Sequence, residues 1–331
     1  MINHSLVSVI IVNYNGRHLL QECFESILNQ SYHDIEIIVV DNASVDGSVA
    51  YIGALFPNVK IVELSENKGF AGGNIEGFKY AHGDYAMLVN NDVVLDKDCI
   101  NNLLVAMEQH PDVGIGASKM LIYNMDIIDS AGDGFSTSLK AYKRGEGLQS
   151  NYYNNEEYIF GACAGAAIYR RQMIEEIGFF DDDFFLIHED TDLNLRAQLM
   201  GWKALYVPSS IAHHKVRSTI GEMSDVAVYY SLRNSELVRI KNIPTWIFLK
   251  CLLGYISSSI LDFIYFAIKH RKISLYLKAK RDVLKLLPDM LKKRKQLMGK
   301  KKVDNNYLFS LMTPLYEKSF FLMKAKKFFY R

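Results

Sequence analysis

Four short apolar runs, each ending in Asn or Asp or a loop that carries one, constrain this chain more than any other feature. Val7 to Val12 is nearly all apolar and rich in β-branched residues, as a strand buried on both faces must be. Asn13-Tyr14-Asn15-Gly16 follows as turn chemistry. Leu19, Leu20, Cys23, Phe24, Ile27 and Leu28 then recur at helical spacing. Ile35 to Val40, Val59 to Leu64 and Tyr85 to Val89 read as the second, third and fourth strands. Ser44 or Asp46 is expected to cap the helix after the second. Strands alternating with helices imply α/β architecture, a mostly parallel sheet with right-handed crossovers. In such a sheet Asn13, Asp41, Asn67 and Asp92 share one rim, where a nucleotide can bind. Any one of them alone is ordinary loop chemistry; the recurrence gives the set its weight.

Gly69, Gly72 and Gly73 leave two readings open. They can let a backbone approach a diphosphate at a helix N-terminus, or let a helix pack tightly. No G-x-x-x-x-G-K-[ST] occurs, which disfavours a P-loop ATPase. Downstream, Glu189 and Asp190 stand at or just before a helix that runs to Gly201, where the dipole favours ionised carboxylates. Asp190 is either an N-cap or a base for an acceptor hydroxyl. A short strand from Ala204 to Val207 precedes His213-His214, two neighbours that face opposite ways if extended.

The chain has 331 residues and a formal net charge of +1, which hides an asymmetry. From Lys241 onward there are 21 Lys and Arg against 5 Asp and Glu; before it, 17 against 32. Two regions follow, 1–240 and a basic, amphipathic, helical 241–331. Cys23, Cys99, Cys163 and Cys251 form no C-x-x-C pair, which argues against a thiolate zinc site and fits a reducing compartment. A strand entered by about Leu6 leaves no room for a signal peptide, so the first region is expected in the cytoplasm. Trp246 to Ile268 is largely apolar but interrupted by Lys250 and Asp262, marginal as a membrane span. Lys292 to Lys295, Lys300 to Lys302, and Phe320, Phe321, Phe328 and Phe329 among Lys324, Lys326 and Lys327 suit an anionic membrane surface. No nucleic-acid module accompanies them, and the acidic first region argues against a nucleic-acid partner.

An ordered set of segments resembles family 2 glycosyltransferases of the GT-A fold, closest to the rhamnosyltransferase-like branch that builds bacterial surface polysaccharides. The segments are Val9-Ile-Ile-Val-Asn-Tyr-Asn15, Val39-Val-Asp-Asn-Ala-Ser-Val-Asp46, Asn67-Lys-Gly-Phe-Ala-Gly-Gly-Asn74, Leu88-Val-Asn-Asn-Asp92, Gly161-Ala-Cys-Ala-Gly-Ala166, Glu189-Asp-Thr-Asp192 and His214-Lys-Val-Arg-Ser218. The resemblance implies that Asn13 and Asp41 hold the nucleoside base, with Asn67 and Gly69 lining its pocket. It implies that Asn90-Asn91-Asp92 takes the D-x-D position. Asp92 would then reach a divalent cation, Mg²⁺ or Mn²⁺, on the donor diphosphate. The first acidic position of that motif is Asn90, an amide that coordinates more weakly than a carboxylate and carries no charge. Asp190, beside Glu189, matches the acceptor base, and His214 rather than His213 matches the late histidine near the metal or diphosphate. Lys215 or Arg217 can share the leaving group's charge, or be solvated surface charges.

The implied reaction is an inverting transfer from a dTDP- or UDP-sugar, rhamnose first, to a glycan or lipid-linked glycan at the cytoplasmic face of the inner membrane. A non-catalytic sugar-nucleotide-binding or assembly protein on the same fold is the alternative. A nucleotidyltransferase would share the sheet and metal but leave the late Glu-Asp cluster without a task.

Overall fold

The computed structural model describes residues 5–216 and 223–315. The chain opens as β1 (Val7–Asn13), α1 (Arg17–Leu28), β2 (Ile35–Asp41), α2 (Ser48–Leu55), β3 (Lys60–Glu63), α3 (Gly69–Phe78) and β4 (Tyr85–Val89). β1 pairs in parallel with β2 and β4, and β2 with β3. The order β4-β1-β2-β3 places successive connections on opposite sides of β1. Such a reversal opens a crevice beyond the carboxyl ends of the two strands. Asn13 ends β1 and Asn90 follows β4, so both polar clusters lie at that crevice.

The sheet then changes character. β5 (Val93–Leu95), α4 (Cys99–Gln109), β6 (Val113–Ile122), β7 (Ile128–Ser130), β8 (Asp133–Phe135), β9 (Ala141–Lys143), β10 (Glu157–Ile159) and β11 (Ala166–Arg170) follow. α5 (Arg171–Ile177), α6 (Glu189–Leu199) and β12 (Lys203–His214) complete this part. β11 lies antiparallel between β4 and β6, and β12 runs parallel to β6. The short strand expected at Ala204 to Val207 is therefore half of a longer one. Its register slips between Val207 and Ile211, across Pro208. Proline cannot donate to a ladder, so a bulge is where a strand tolerates it.

Strand residues bury both ways. Val9, Ile11 and Met87 pack under α1 and α4 with Phe24, Leu103 and Met107. Ile10, Ile38 and Leu88 pack on the other face with Ala71, Met173 and Leu193. α3 sits so close that a Cβ at Gly73 would lie 2.7 Å from Val12, and one at Gly77 2.6 Å from Ile10. Close packing on the sheet thus accounts for Gly73 and Gly77 of this segment. The cap after β2 also differs from expectation. Gly47 caps α2, Asp46 accepts from the Ser48 amide, and Ser44 turns back toward Asn13 and Asn15.

The C-terminal helices are α7 (Asp225–Asn242), α8 (Thr245–Lys250), α9 (Leu252–Asp262) with a π-helical continuation over Phe263–Lys269, α10 (Ile273–Lys300) and α11 (Asn305–Ser310). The boundary drawn at 240 falls inside α7. Leu237, Val238, Ile247, Val283 and Met290 share one core with Phe135, Phe184, Leu195 and Leu199 of the sheet region. The aromatic and basic residues from Phe320 onward, and Arg217, lie outside the described residues.

Candidate active site

At the end of β1 the Asn13 side chain is fully buried and ties three segments together. Its Nδ2 donates to Asp41 Oδ1 at 3.2 Å and to Ser44 Oγ at 3.2 Å, while its Oδ1 accepts from Asn91 Nδ2 at 2.9 Å. Gly16 is required beside this knot, because a Cβ there would lie 2.2 Å from Asn91 Nδ2. Asn13 and Asn91 therefore bridge the crevice between β1 and β4, and Asp41 closes its own turn by accepting from the Ser44 amide. Asn67 Oδ1 accepts from the Gly69 amide at the start of α3. Gly69 has φ +71°, and a Cβ on it would meet the Phe185 carbonyl at 2.3 Å. This glycine is covered by Phe185 rather than open to a ligand. Asn42, unremarked in the sequence, joins β2 to the same loop: it accepts from the Lys68 amide and donates to the Gly69 carbonyl.

A cavity of about 330 Å³ opens beside β4. Asn90, Asp133, Lys143, Cys163, Glu189 and Asp190 are in its wall. Asn90 and Asp190, a hundred residues apart in sequence, thus face one space. Asp92 is not in the wall; it stands behind it, joined through a relay. His214 Nε2 lies 3.4 Å from Asp92 Oδ1, His214 Nδ1 lies 2.9 Å from Asp129 Oδ2, and Asp129 accepts from Lys143 Nζ at 2.8 and 2.9 Å. His213 faces the other way and meets Asp96 at 2.9 Å. Lys215 is paired with Glu22 at 2.7 Å, away from the cavity, so Lys143 is the lysine placed to meet a ligand's charge.

Asp129, Asp133 and Lys143 were not legible as site residues. They lie on the short strands after β6, where no periodic pattern runs long enough to place them. Their one sequence signal is two aspartates flanking Gly132 in an otherwise apolar stretch.

Burial sets the protonation of these groups. It raises the Asp190 pKa, offset in part by the amides of Thr191 and Ala164 that donate to its two oxygens. Burial, then the charge of Asp190, raises Glu189 well above the carboxylate range, and Asp133 likewise. The helix dipole expected to keep Glu189 ionised is therefore outweighed. At His214 burial would lower the pKa, but bonds to Asp129 and Asp92 outweigh it and lift it to about 9. At Asp129 burial works upward, and the His214 bond and the Lys143 charge bring it down to about 2.

Among the described residues Asn90 Oδ1 is buried without a hydrogen-bond partner, and Asp92 Oδ1 has only the long 3.4 Å approach of His214. An amide and a carboxylate oxygen are ligand types that a divalent cation of the Mg²⁺ or Mn²⁺ kind takes, and His214, its pKa lifted to about 9, would join them only on losing its proton. A second acidic group, Asp181, Asp182 and Asp183, brings its oxygens within 4.8 Å of one another. Lys241 and Lys293 already pair with Asp181, and Lys293 with Asp183, which makes this group a fastening for α7 and α10. Asp192, two residues past Asp190, points into the same fastening, paired with Lys241 and Arg196.

Residues 8–178 match the model of glycosyl transferase family 2. The poly-β-1,6-N-acetyl-D-glucosamine synthase of Staphylococcus epidermidis is 23% identical over 286 residues, covering 78% of this chain and 67% of that one. The glycosyltransferase GlyA of Streptococcus pneumoniae is 25% identical over 231 residues, covering 66% of this chain and 32% of that one. Among solved structures, Staphylococcus aureus TarS 1–349 in complex with UDP aligns with TM-score 0.53 at 18% identity, covering 92% of each chain. GalNAc-T7 with UDP, GalNAc and Mn²⁺ aligns with TM-score 0.59 at 17% identity, over 72% of this chain and 48% of that one. The sheet, with its crevice at the end of β1 and β4, has the GT-A fold, and the chain belongs to glycosyl transferase family 2.

Proposed function

We propose that this chain is an inverting, divalent-cation-assisted glycosyltransferase. It moves a sugar, rhamnose first among candidates, from a dTDP- or UDP-linked donor to a hydroxyl of a growing lipid-linked surface glycan. The observation that carries the reading is the single cavity faced by both Asn90 and Asp190. Asn90 and Asp92, with His214 once it has lost its proton, would hold a cation, which when bound offsets the charge that gathers on the departing diphosphate. Lys143 adds a fixed positive charge in the cavity wall. Asp190 takes the proton of the acceptor hydroxyl as its oxygen attacks the anomeric carbon. The bond to the diphosphate breaks on the opposite side, which inverts the centre. A carboxylate whose pKa burial has raised is a stronger base than a solvated one, which suits this task.

The membrane's cytoplasmic face is the proposed location. The segment Leu252–Lys269 is long and apolar enough to cross a bilayer by length and composition, with mean hydropathy 1.3 and only 11% of it buried. Its attachments favour lying on the surface instead. Asp262 pairs with Lys140, Ser258 donates to the Ser138 carbonyl, and Gly254 packs on Thr137. A helix pinned along its length to the sheet region cannot also stand across a bilayer.

Thermal melts with a panel of sugar nucleotides and Mn²⁺ test the donor reading. A dTDP- or UDP-sugar should raise the melting temperature by several degrees, and chelation should remove the effect. A panel without any stabilising member contradicts it.

A further inference from the structure

Between α7, α9 and α10 lies a cavity of about 700 Å³, within the range of ligand sites. Ile240, Phe248, Tyr255, Val283, Leu284 and Leu287 give it a largely apolar wall, which also holds the Lys280–Glu236 ion pair. Leu284 is 68% exposed, so the cavity opens on the apolar surface of these helices. Arg239 stands in the wall, 4% exposed. Its Nε donates to the Leu139 carbonyl and its Nη1 pairs with Glu236 at 3.0 Å. Its Nη2 is buried with no partner among the described residues. A buried guanidinium nitrogen so left is costly, and it marks where an acceptor oxygen belongs.

A second recess of about 460 Å³ adjoins the first, sharing Thr245, Leu291 and Arg294 and adding Trp246, Lys295 and Lys301. Among the described residues no carboxylate stands in its lining. A largely apolar chamber thus leads into a recess with Lys295 and Lys301 in its wall, while Arg294 is committed to the Ile240 and Ile243 carbonyls. The geometry points to a binding site for an anionic amphiphile: a phosphate head at Lys295 and Lys301, and a hydrocarbon chain in the chamber. A phospholipid's ester oxygen can then accept the spare Arg239 N–H, whereas a polyprenyl chain has no oxygen to offer it. The charge pattern excludes a neutral detergent-like ligand as the preferred occupant, and the apolar chamber excludes free phosphate. Two sources share this chemistry, a membrane phospholipid and the phosphate-bearing lipid carrier of a glycan. The inference deepens the membrane-surface reading and rests on it.

The test uses the full chain with Trp202→Phe, which leaves Trp246, in the wall of the basic recess, as the sole tryptophan. Dodecyl phosphate below its micelle concentration should change Trp246 emission saturably. It should half-saturate at least tenfold lower than dodecyl maltoside, which has the chain without the charge, or inorganic phosphate, which has the charge without the chain. Leu291→Asp and Lys295→Glu, both at exposed positions, should each weaken dodecyl phosphate at least fivefold. Neither should alter the melting temperature or stabilisation by sugar nucleotides. An unsaturable response, equal responses to the neutral detergent, or unchanged binding by both variants overturns the site. Competition then separates the sources. Preferential displacement by a polyprenyl phosphate supports the carrier, displacement by phosphatidylglycerol supports bulk lipid, and displacement by neither overturns the proposal. Binding to anionic vesicles that persists without a dodecyl phosphate response sinks this site and leaves the membrane reading standing.

Discussion

Glu189 and Asp190 are neighbours in sequence with different surroundings. Asp190 accepts from two backbone amides, whereas Glu189 is 5% exposed and one of its oxygens has no partner among the described residues. Burial holds the Glu189 proton on in the folded chain, while the unfolded chain releases it near 4.5. A raised folded pKa means that stability is fully present below the unfolded pKa and is lost as pH rises toward the folded one. Glu189→Gln mimics the protonated acid and removes that loss. Denaturant midpoints should therefore separate progressively in favour of the variant above pH 4.5, by up to about 1.4 kcal/mol per pH unit. A separation that does not change with pH contradicts a protonated Glu189. Sequence alone could mark both carboxylates, through their place at a helix start. It could not rank them, because the ranking depends on which one the neighbouring strands supply with N–H groups. Alternation along an extended segment set His213 and His214 on opposite faces, and only the family resemblance chose His214; its partner Asp129 was not legible at all. That pairing is made only when β12 and the strands after β6 meet.

The loop that carries these carboxylates is held by a helix far along the chain. Phe185, Ile187 and His188 all have positive φ, at 56°, 67° and 72°. A β-branched residue there is strained and needs surrounding structure to hold it. Asn234 of α7, fully buried, supplies the hold: its Nδ2 reaches the carbonyls of Phe184, Leu186 and Ile187 at 2.7, 2.8 and 2.7 Å. Phe185 also stacks on Tyr230 with ring centres 5.0 Å apart. Asn234→Ala should cost on the order of 3 kcal/mol in chemical denaturation. Turnover should fall at least tenfold, with a smaller rise in donor KM because Phe185 of the same loop rests on Gly69. A variant with normal turnover would separate the loop from catalysis. The first four strands and their helices were legible because apolar runs and helical spacing are local signals. The antiparallel insertion of β11 and the length of β12 were not, since pairing between distant strands leaves no periodic trace.

At the scale of the molecule, the charge asymmetry is only partly a surface property. Lys241, Lys293 and Arg294 are spent inward, on Asp181, Asp192 and the carbonyls at the end of α7. Lys292, Lys295 and Lys300 remain exposed on α10, and Leu249, Leu253, Ile260 and Leu277 are exposed on the C-terminal helices. That combination predicts binding to anionic vesicles that weakens, without vanishing, as salt rises. Leu253→Glu with Ile260→Glu should release the protein into the supernatant on sedimentation. Retention of the double variant at low and high salt alike would contradict the proposed face. The account's central claim is that donor and acceptor chemistry meet in one cavity. It is tested most directly by titrating the true sugar nucleotide with Mn²⁺ into Asp92→Ala and Asp190→Asn while measuring transfer. Asp92→Ala should bind the donor at least tenfold more weakly; Asp190→Asn should bind it normally and lose transfer by a factor of about 10² or more. Normal transfer by Asp190→Asn, or unchanged donor affinity in Asp92→Ala, would contradict it.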